Sequence, residues 1–135
     1  MRRPPLPAVR WLLTAACVAL AACSDPVTAP GRQPEIINGT DNFQYQISDI
    51  RGYSGTQDYS WQNSGTTAKV NQSAAISTGT ATLVIRDASG TQVYSRSLAE
   101  NGTFVSGAGA AGTWTVSVTY ASVDATVNFR VDKGN

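Results

Sequence analysis

The residues able to do chemistry are few, and their types exclude several classes of enzyme. The chain of 135 residues contains two cysteines, Cys17 and Cys23, and no histidine. This composition excludes Ser-His-Asp and Cys-His catalysis as well as histidine-based metal sites. A thiol is the remaining strong nucleophile, and Cys23 directly follows two small residues, Ala21 and Ala22, at the end of an apolar run. Cys23 is therefore the first candidate for covalent chemistry in this sequence.

The segment before Cys23 has the layout of a secretory signal. Three arginines and no acidic residue precede or flank an apolar run of ten residues, Trp11 to Leu20, which is too short for a membrane span of about 20 residues. Leu20-Ala21-Ala22-Cys23 resembles the lipobox of bacterial lipoproteins. The resemblance implies cleavage between Ala22 and Cys23 and attachment of fatty acyl chains to the Cys23 thiol. The alternative is an ordinary signal peptide with cleavage near Ala22 and an incidental Cys23.

The residues after Cys23 predict a tether and a location. In lipoproteins of enteric bacteria, Asp after the cysteine tends to retain the protein in the inner membrane, and here Ser24 occupies that position. The resemblance therefore implies the outer membrane in a cell with two membranes. The next residues, 24 to 34, contain three prolines and lack apolar periodicity, which predicts an extended linker of roughly 30 Å. We assign residues 1–22 to a cleaved signal, 23–40 to the lipidated cysteine and linker, and 41–135 to one domain, although Glu35 to Ile37 are candidates to begin the ordered part.

The charge of the predicted mature chain argues against nucleic acid as a partner. Residues 23–135 contain seven basic and nine acidic residues, a formal charge of −2, although the whole chain has a charge of +1. Nucleic-acid binding depends on clustered Lys and Arg, which this segment lacks. The expected partners are instead a membrane, through lipid on Cys23, and an envelope protein or glycan.

Alternating polar and apolar residues predict an all-β fold for the rest of the chain. Trp114 to Tyr120 and Ala125 to Val131 give the clearest alternation, and the short joint between them, Ala121 to Val123, predicts a hairpin. A second hairpin is predicted around Ala88-Ser89-Gly90 because glycine accepts the left-handed backbone of a tight turn. With about seven to nine short strands and no helix after Leu20, the pattern predicts a small antiparallel β-sandwich, immunoglobulin-like or jelly-roll-like.

About half of the mature chain resembles small extracellular β-sandwich modules of bacteria, including those at the C-termini of secreted peptidases. The features that carry the resemblance are Leu83-x-Ile85-x-Asp87, the Ser89-Gly90 turn and Gly112-Thr113-Trp114-x-Val116-x-Val118. The resemblance implies an architecture and transfers no site.

Acidic and glycine-rich patterns offer weak alternatives. A pair of carboxylates could hydrolyse glycosides, and the candidates lie mostly beside turns or at strand ends: Asp41, Asp49, Asp58, Asp87, Glu100, Asp124 and Asp132. The same acids form no dense calcium-binding loop. Gly107-x-Gly109-x-x-Gly112 matches a dinucleotide motif by letter, but a strand is expected after it where that motif requires a helix. We therefore expect no metal and no cofactor.

Aromatic residues supply the best indication of a binding site. Tyr53, Tyr59 and Trp61 lie among amide side chains, and rings on one exposed face could bind sugar or peptide. The competing interpretation assigns Trp61 to the core, and the register of Trp114 with valines places it there as well. Three functions follow: a non-catalytic envelope lipoprotein that binds a partner or is structural, a carbohydrate- or peptide-binding module that uses the three rings, and a hydrolase with an acidic pair.

Overall fold

Seven antiparallel strands form the body of the protein. The computed structural model describes residues 33–135 and contains no helix within that range. The strands are β1 (Glu35–Gly39), β2 (Asn42–Asn63), β3 (Ala68–Gln72), β4 (Ala75–Arg86), β5 (Gln92–Ser97), β6 (Gly102–Val105) and β7 (Gly112–Lys133). The prediction of a small all-β, antiparallel sandwich is confirmed.

Two long strands, β2 and β7, each contribute to both layers of the sandwich. Residues 42–47 of β2 pair with residues 127–132 of β7, and β1, β3 and β6 complete this first layer in the order β1-β2-β7-β3-β6. Residues 55–63 of β2 pair with residues 112–120 of β7, and β4 and β5 complete the second layer beside β7. The two layers are therefore one sheet that is folded over at the middle of β2 and β7.

The sheet folds over at the points where the alternation of buried and exposed residues shifts by one position. In β7 the buried apolar side chains fall on even positions up to Tyr120 and on odd positions from Val123 onward. Ser122 absorbs the slip with a positive φ of 46°, and Asp49 does the same in β2 with a φ of 54°. Such irregularities bend a strand without ending it. The predicted hairpin at Ala121 to Val123 is therefore wrong, because the chain continues through these residues as a single bent strand.

Aromatic rings fill the space between the layers. Tyr45 of the first layer stacks on Phe129, with ring centroids 4.9 Å apart, and lies 5.9 Å from Tyr59 of the second layer. Trp61 and Trp114, partners in the second layer, meet edge to face at 5.9 Å. Such tilted and stacked pairs add to the stabilisation from buried area.

The predicted hairpin between β4 and β5 is present. Gly90 adopts a φ of 84° in the connecting turn, the left-handed conformation that the sequence indicated. The Asp87 carboxylate fixes this turn, since its Oδ1 accepts the backbone N–H groups of Ser89 at 3.0 Å and Thr91 at 2.9 Å. Its Oδ2 accepts the N–H of Ala110 at 2.8 Å, which ties the glycine-rich loop at 107–112 to the hairpin. These hydrogen bonds lower the pKa of Asp87 by stabilising its charged form.

A buried glutamine joins the layers at the β5–β6 edge. Gln72 of β3 donates from Nε2 to the carbonyl oxygens of Ser97 at 3.0 Å and Glu100 at 2.7 Å. Its Oε1 accepts from the Tyr94 hydroxyl at 2.5 Å, so every polar atom of this buried side chain is bonded. The Arg96 guanidinium covers the Phe104 ring beside it, 3.8 Å from the centroid. This edge of the sandwich is thereby closed.

Strand pairing begins earlier than residue 41. β1 lies within the range 23–40 that the sequence assigned to the linker, and each of its residues from Glu35 to Gly39 has a partner in β2. Glu35 to Ile37 do begin an ordered element, as the sequence suggested. The signal at 1–22, the cleavage point at Ala22 and the lipid site at Cys23 lie outside the described residues.

The tyrosine hydroxyls between the layers predict loss of stability at high pH. Tyr45 and Tyr59 both donate to Gln57 Oε1, at 2.9 and 2.8 Å, and the Tyr120 hydroxyl lies 2.8 Å from that of Tyr45. Burial raises the pKa of Tyr45 and Tyr120 well above the ordinary value of 10.0, because desolvation penalises the charged form.

We expect the free energy of unfolding to be unaffected by these tyrosines below pH 10 and to fall as the pH rises above it. In the unfolded chain Tyr45 and Tyr120 ionise there, while in the folded protein their raised pKa values keep them neutral. Absorbance at 295 nm should therefore show tyrosinate forming together with the loss of β-structure by circular dichroism. Full ionisation of all five tyrosines near pH 10 in a protein that stays folded would contradict this expectation.

Candidate functional site

The three aromatic residues proposed from the sequence do not form a binding surface. Trp61 is 0% exposed and Tyr53 is 2% exposed. Tyr59 is half-buried and packs 5.6 Å from the Phe43 ring, with its hydroxyl bonded to Gln57. The predicted platform of Tyr53, Tyr59 and Trp61 is therefore wrong, because Tyr53 and Trp61 are buried between the layers and Tyr59 alone of the three is partly exposed.

The acidic candidates are used mainly to fix turns and strands. The Asp41 carboxylate accepts the backbone N–H and the hydroxyl of Ser64, both at 2.7 Å, and these bonds lower its pKa. Asp58 accepts from the Ser117 hydroxyl at 2.5 Å. A general acid of a glycosidase needs a raised pKa, whereas the pKa values of Asp41 and Asp87 are lowered. Within residues 33–135, no three acidic, cysteine or histidine side chains come together as metal ligands.

Two of the acids share a concavity at the bend of the long strands. Asp49 and Asp124 line a hollow of about 350 Å³ together with Arg51 and Ile76. Asp124 is already engaged, because its Oδ1 accepts the backbone N–H of Gly52 at 2.6 Å. This bond supports the left-handed backbone of Gly52, which has a φ of 56°. The hollow therefore lies at the bend of β2, and at least one of its carboxylates serves to hold that bend.

A broad open concavity lies on the outer side of the first layer. It has a volume of about 460 Å³ and is lined by side chains that alternate with buried residues on four adjacent strands. We call this surface the polar face; its residues are Gln44, Lys69, Asn71, Thr103, Asn128, Arg130 and Asp132.

Strand register aligns the polar face in rows. Gln44 of β2 pairs with Arg130 of β7, Arg130 pairs with Asn71 of β3, and Asn71 pairs with Thr103 of β6. Residues that pair in this way point to the same side of a sheet and lie within contact distance. The next row places Asp132 of β7 opposite Lys69 of β3. Side chains from positions 44 to 132 are thereby brought to one surface.

One carboxylate orients the arginine at the centre of the polar face. Arg130 Nε lies 3.0 Å from Asp132 Oδ1 and 2.9 Å from Oδ2, and Asn42 Nδ2 donates to the same Oδ1 at 2.6 Å. Asn71 Nδ2 donates to Thr103 Oγ1 at 2.9 Å. Among residues 33–135, the side chains of Gln44, Lys69 and Asn128 have no hydrogen-bond or ion-pair partner. The polar face therefore combines oriented groups with groups whose hydrogen-bonding capacity is directed to solvent.

The polar face could not be predicted from the sequence alone. The polar phase of each strand was visible in the alternation, for example Gln44 and Gln46 opposite Tyr45. The signal that was missing is the register, because only the pairing of β2 with β7 and of β7 with β3 brings these positions together.

Comparisons with known proteins place the chain in no established group. No protein-family model matches it, and no curated protein matches it either. Within residues 33–135 there is also no helix long and apolar enough to cross a membrane.

Proposed function

We propose that this protein is a cell-envelope lipoprotein, held on a membrane by lipid on Cys23, whose β-sandwich acts by binding another envelope component. The observation that carries the binding role is the polar face, a broad hydrogen-bonding surface aligned across four strands. The anchor is supported by the sequence Leu20-Ala21-Ala22-Cys23 after an apolar run. Because the chain lacks histidine and the shifted carboxyl pKa values are lowered, we expect no catalytic activity.

The position of β1 agrees with a tethered binding domain. Glu35, its first residue, lies twelve positions after Cys23, and the intervening chain carries Pro26, Pro30 and Pro34. A proline-bearing linker of this length reaches roughly 30 Å when extended. We infer that the sandwich contacts its partner close to the membrane, at the outer membrane in a cell that has two.

The anchor is tested by replacing the cysteine. Cys23→Ala should abolish lipidation, so that the protein leaves the membrane fraction or remains as an uncleaved precursor. Two or three acyl chains hold a protein stably on a bilayer, whereas one chain binds only marginally. Mass spectrometry of the wild-type N-terminal peptide should show Cys23 carrying two or three acyl chains.

Cys17→Ala is the matched control, and it should leave lipidation and fractionation unchanged. A wild-type protein with an unmodified N-terminus in the soluble fraction would overturn the anchor.

The binding role is tested separately by crosslinking in intact cells. A photo-crosslinking amino acid in place of Gln44, on the polar face, should give a defined adduct with an envelope component. The same amino acid in place of Arg86, which is exposed on the outer side of the second layer, should not. Equal crosslinking from both positions would show that the polar face is not the contact.

A further inference from the structure

We propose that the polar face binds a glycan that carries carboxylate groups. This inference rests on the proposed function, in that it names the class of partner for the binding surface. Three properties of the surface carry it: the state of its cations, the arrangement of its amides, and the scarcity of apolar and aromatic groups.

The two cations of the polar face, Arg130 and Lys69, have nitrogen atoms available to bind an anion. Both contacts between Arg130 and Asp132 use the Nε atom, so within residues 33–135 the two terminal nitrogens of the guanidinium remain without a partner. Lys69, across from Asp132, has no acidic partner of its own. The polar face thus contains two cations and one carboxylate, and it carries excess positive charge on a body that is acidic as a whole. A guanidinium whose fork is already oriented binds a carboxylate with two parallel hydrogen bonds.

The amides flank the cations on the same surface. Gln44 lies directly beside Arg130 in its row, and Asn71 lies on the other side of Arg130. Asn128 lies two residues along β7 on the same side of the sheet. Each amide offers both donors and an acceptor, which complement hydroxyl and acetamido groups. A polymer with hydroxyls, acetamido groups and carboxylates matches this order of groups across the sheet.

The polar face lacks the features of two other kinds of contact. Stable protein interfaces have apolar or aromatic groups at their centre. The exposed large apolar residues among 33–135 are Ile37, 60% exposed, and Val105, 66% exposed. They pair with Gln44 and Lys69 and therefore lie at the two rims of the polar face, on the outermost strands β1 and β6, and not at its centre. Lipid surfaces with negative charge attract clusters of four to eight basic residues, and the polar face contains two. A hydrated glycan is the partner that needs neither feature.

The test measures sedimentation of the detergent-solubilised, full-length mature protein with insoluble glycan purified from bacterial cell walls. A second batch of the same glycan has its carboxylates converted to amides with carbodiimide and ethanolamine. We expect binding to the native glycan and at least about tenfold weaker binding to the amidated one, because amidation removes the charge that strengthens the hydrogen bonds with the polar face.

Variants localise the effect. Arg130→Gln should weaken binding to the native glycan about tenfold, and Lys69→Gln should weaken it by a smaller factor and reduce its salt dependence. Arg86→Gln, an exposed arginine of β4 on the second layer, is the matched control and should bind like the wild type. Melting temperatures should agree among the three variants and the wild type, because the Arg130–Asp132 pair is 53% and 32% exposed and contributes little to stability.

Several results would overturn the inference. Equal binding to native and amidated glycan would show that the carboxylates are not recognised. Equal weakening by Arg86→Gln would show that the polar face is not the binding surface. The acyl chains on Cys23 bind vesicles of any lipid, so the comparison is between two lipids: stronger binding to phosphatidylglycerol than to phosphatidylcholine vesicles, lost in Arg130→Gln, would assign the face to a membrane. If the glycan does not bind but the Gln44 position still crosslinks a partner in cells, the inference fails while the proposed binding function stands.

Discussion

Replacing Gly79 with alanine should destabilise the protein by about 2–5 kcal/mol, of which the left-handed backbone contributes about 1–2 and overpacking about 1–3. Gly79 lies in β4 beside the bend of β7, with a φ of 74°. A Cβ atom there would lie 2.5 Å from the carbonyl oxygen of Ala121 and closer still to that of Ser122. Both obstacles are backbone atoms of β7, so neither can move aside without disturbing the bend.

Gly90→Ala is the control that separates the two costs. Gly90 has a similar φ of 84°, but a Cβ at this position would have no heavy atom within 4 Å. We expect this variant to lose only the left-handed term, about 1–2 kcal/mol. Urea unfolding followed by tryptophan fluorescence measures both variants. Equal losses for Gly79→Ala and Gly90→Ala would show that the contact with β7 is not what constrains position 79.

Trp61→Ala should remove about 3–5 kcal/mol of stability, a large part of the 5–15 kcal/mol typical of a domain. Trp61 is fully buried and meets Trp114 edge to face, so its removal leaves a cavity between the layers. The result also distinguishes a core residue from a surface residue that binds a ligand, because replacing a surface residue of that kind would leave stability unchanged. Thermal unfolding by circular dichroism provides the measurement.

Phenylalanine variants test how the two tryptophans are held. Trp114 Nε1 donates to the carbonyl oxygen of Ala110 at 2.7 Å, whereas Trp61 Nε1 has no hydrogen-bond partner among residues 33–135. Trp114→Phe should therefore cost about 1 kcal/mol more than Trp61→Phe, the usual net contribution of one hydrogen bond. An equal cost for the two variants would mean that the Trp114 bond contributes nothing, and a mild Trp61→Ala would place Trp61 outside the core.

The sequence predicted the class of fold because period-two alternation is a local property of each strand. The prediction of a hairpin at the bend of β7 was wrong because a shift in that alternation can have two physical causes. A turn that reverses the chain and a bulge that bends it both shift the phase by one residue, as at Ser122. The short joint from Ala121 to Val123 favoured a turn, but pairing with β2 and β4 on either side keeps the strand continuous.

The site was harder to predict than the fold because it depends on pairings distant in sequence. Gln44, Asn71 and Arg130 are unremarkable polar positions until β7 is placed between β2 and β3. The aromatic residues misled for a related reason. Tyr59 and Trp61 have polar neighbours in sequence, but those neighbours point to the other side of the strand, so the local composition described the opposite surface.

The long strands also determine when the protein can fold. Asn42 pairs with Asp132 near the end of the chain, 90 positions away, and β3 and β4 likewise depend on β7. Contacts between such distant segments form slowly, because closing the loop costs entropy before any contact is gained. Neither layer is complete until residues 112–133 are available. Truncation within β7 would therefore remove both layers at once, and a chain still emerging from a ribosome or a translocation channel would remain without its sandwich until β7 had emerged.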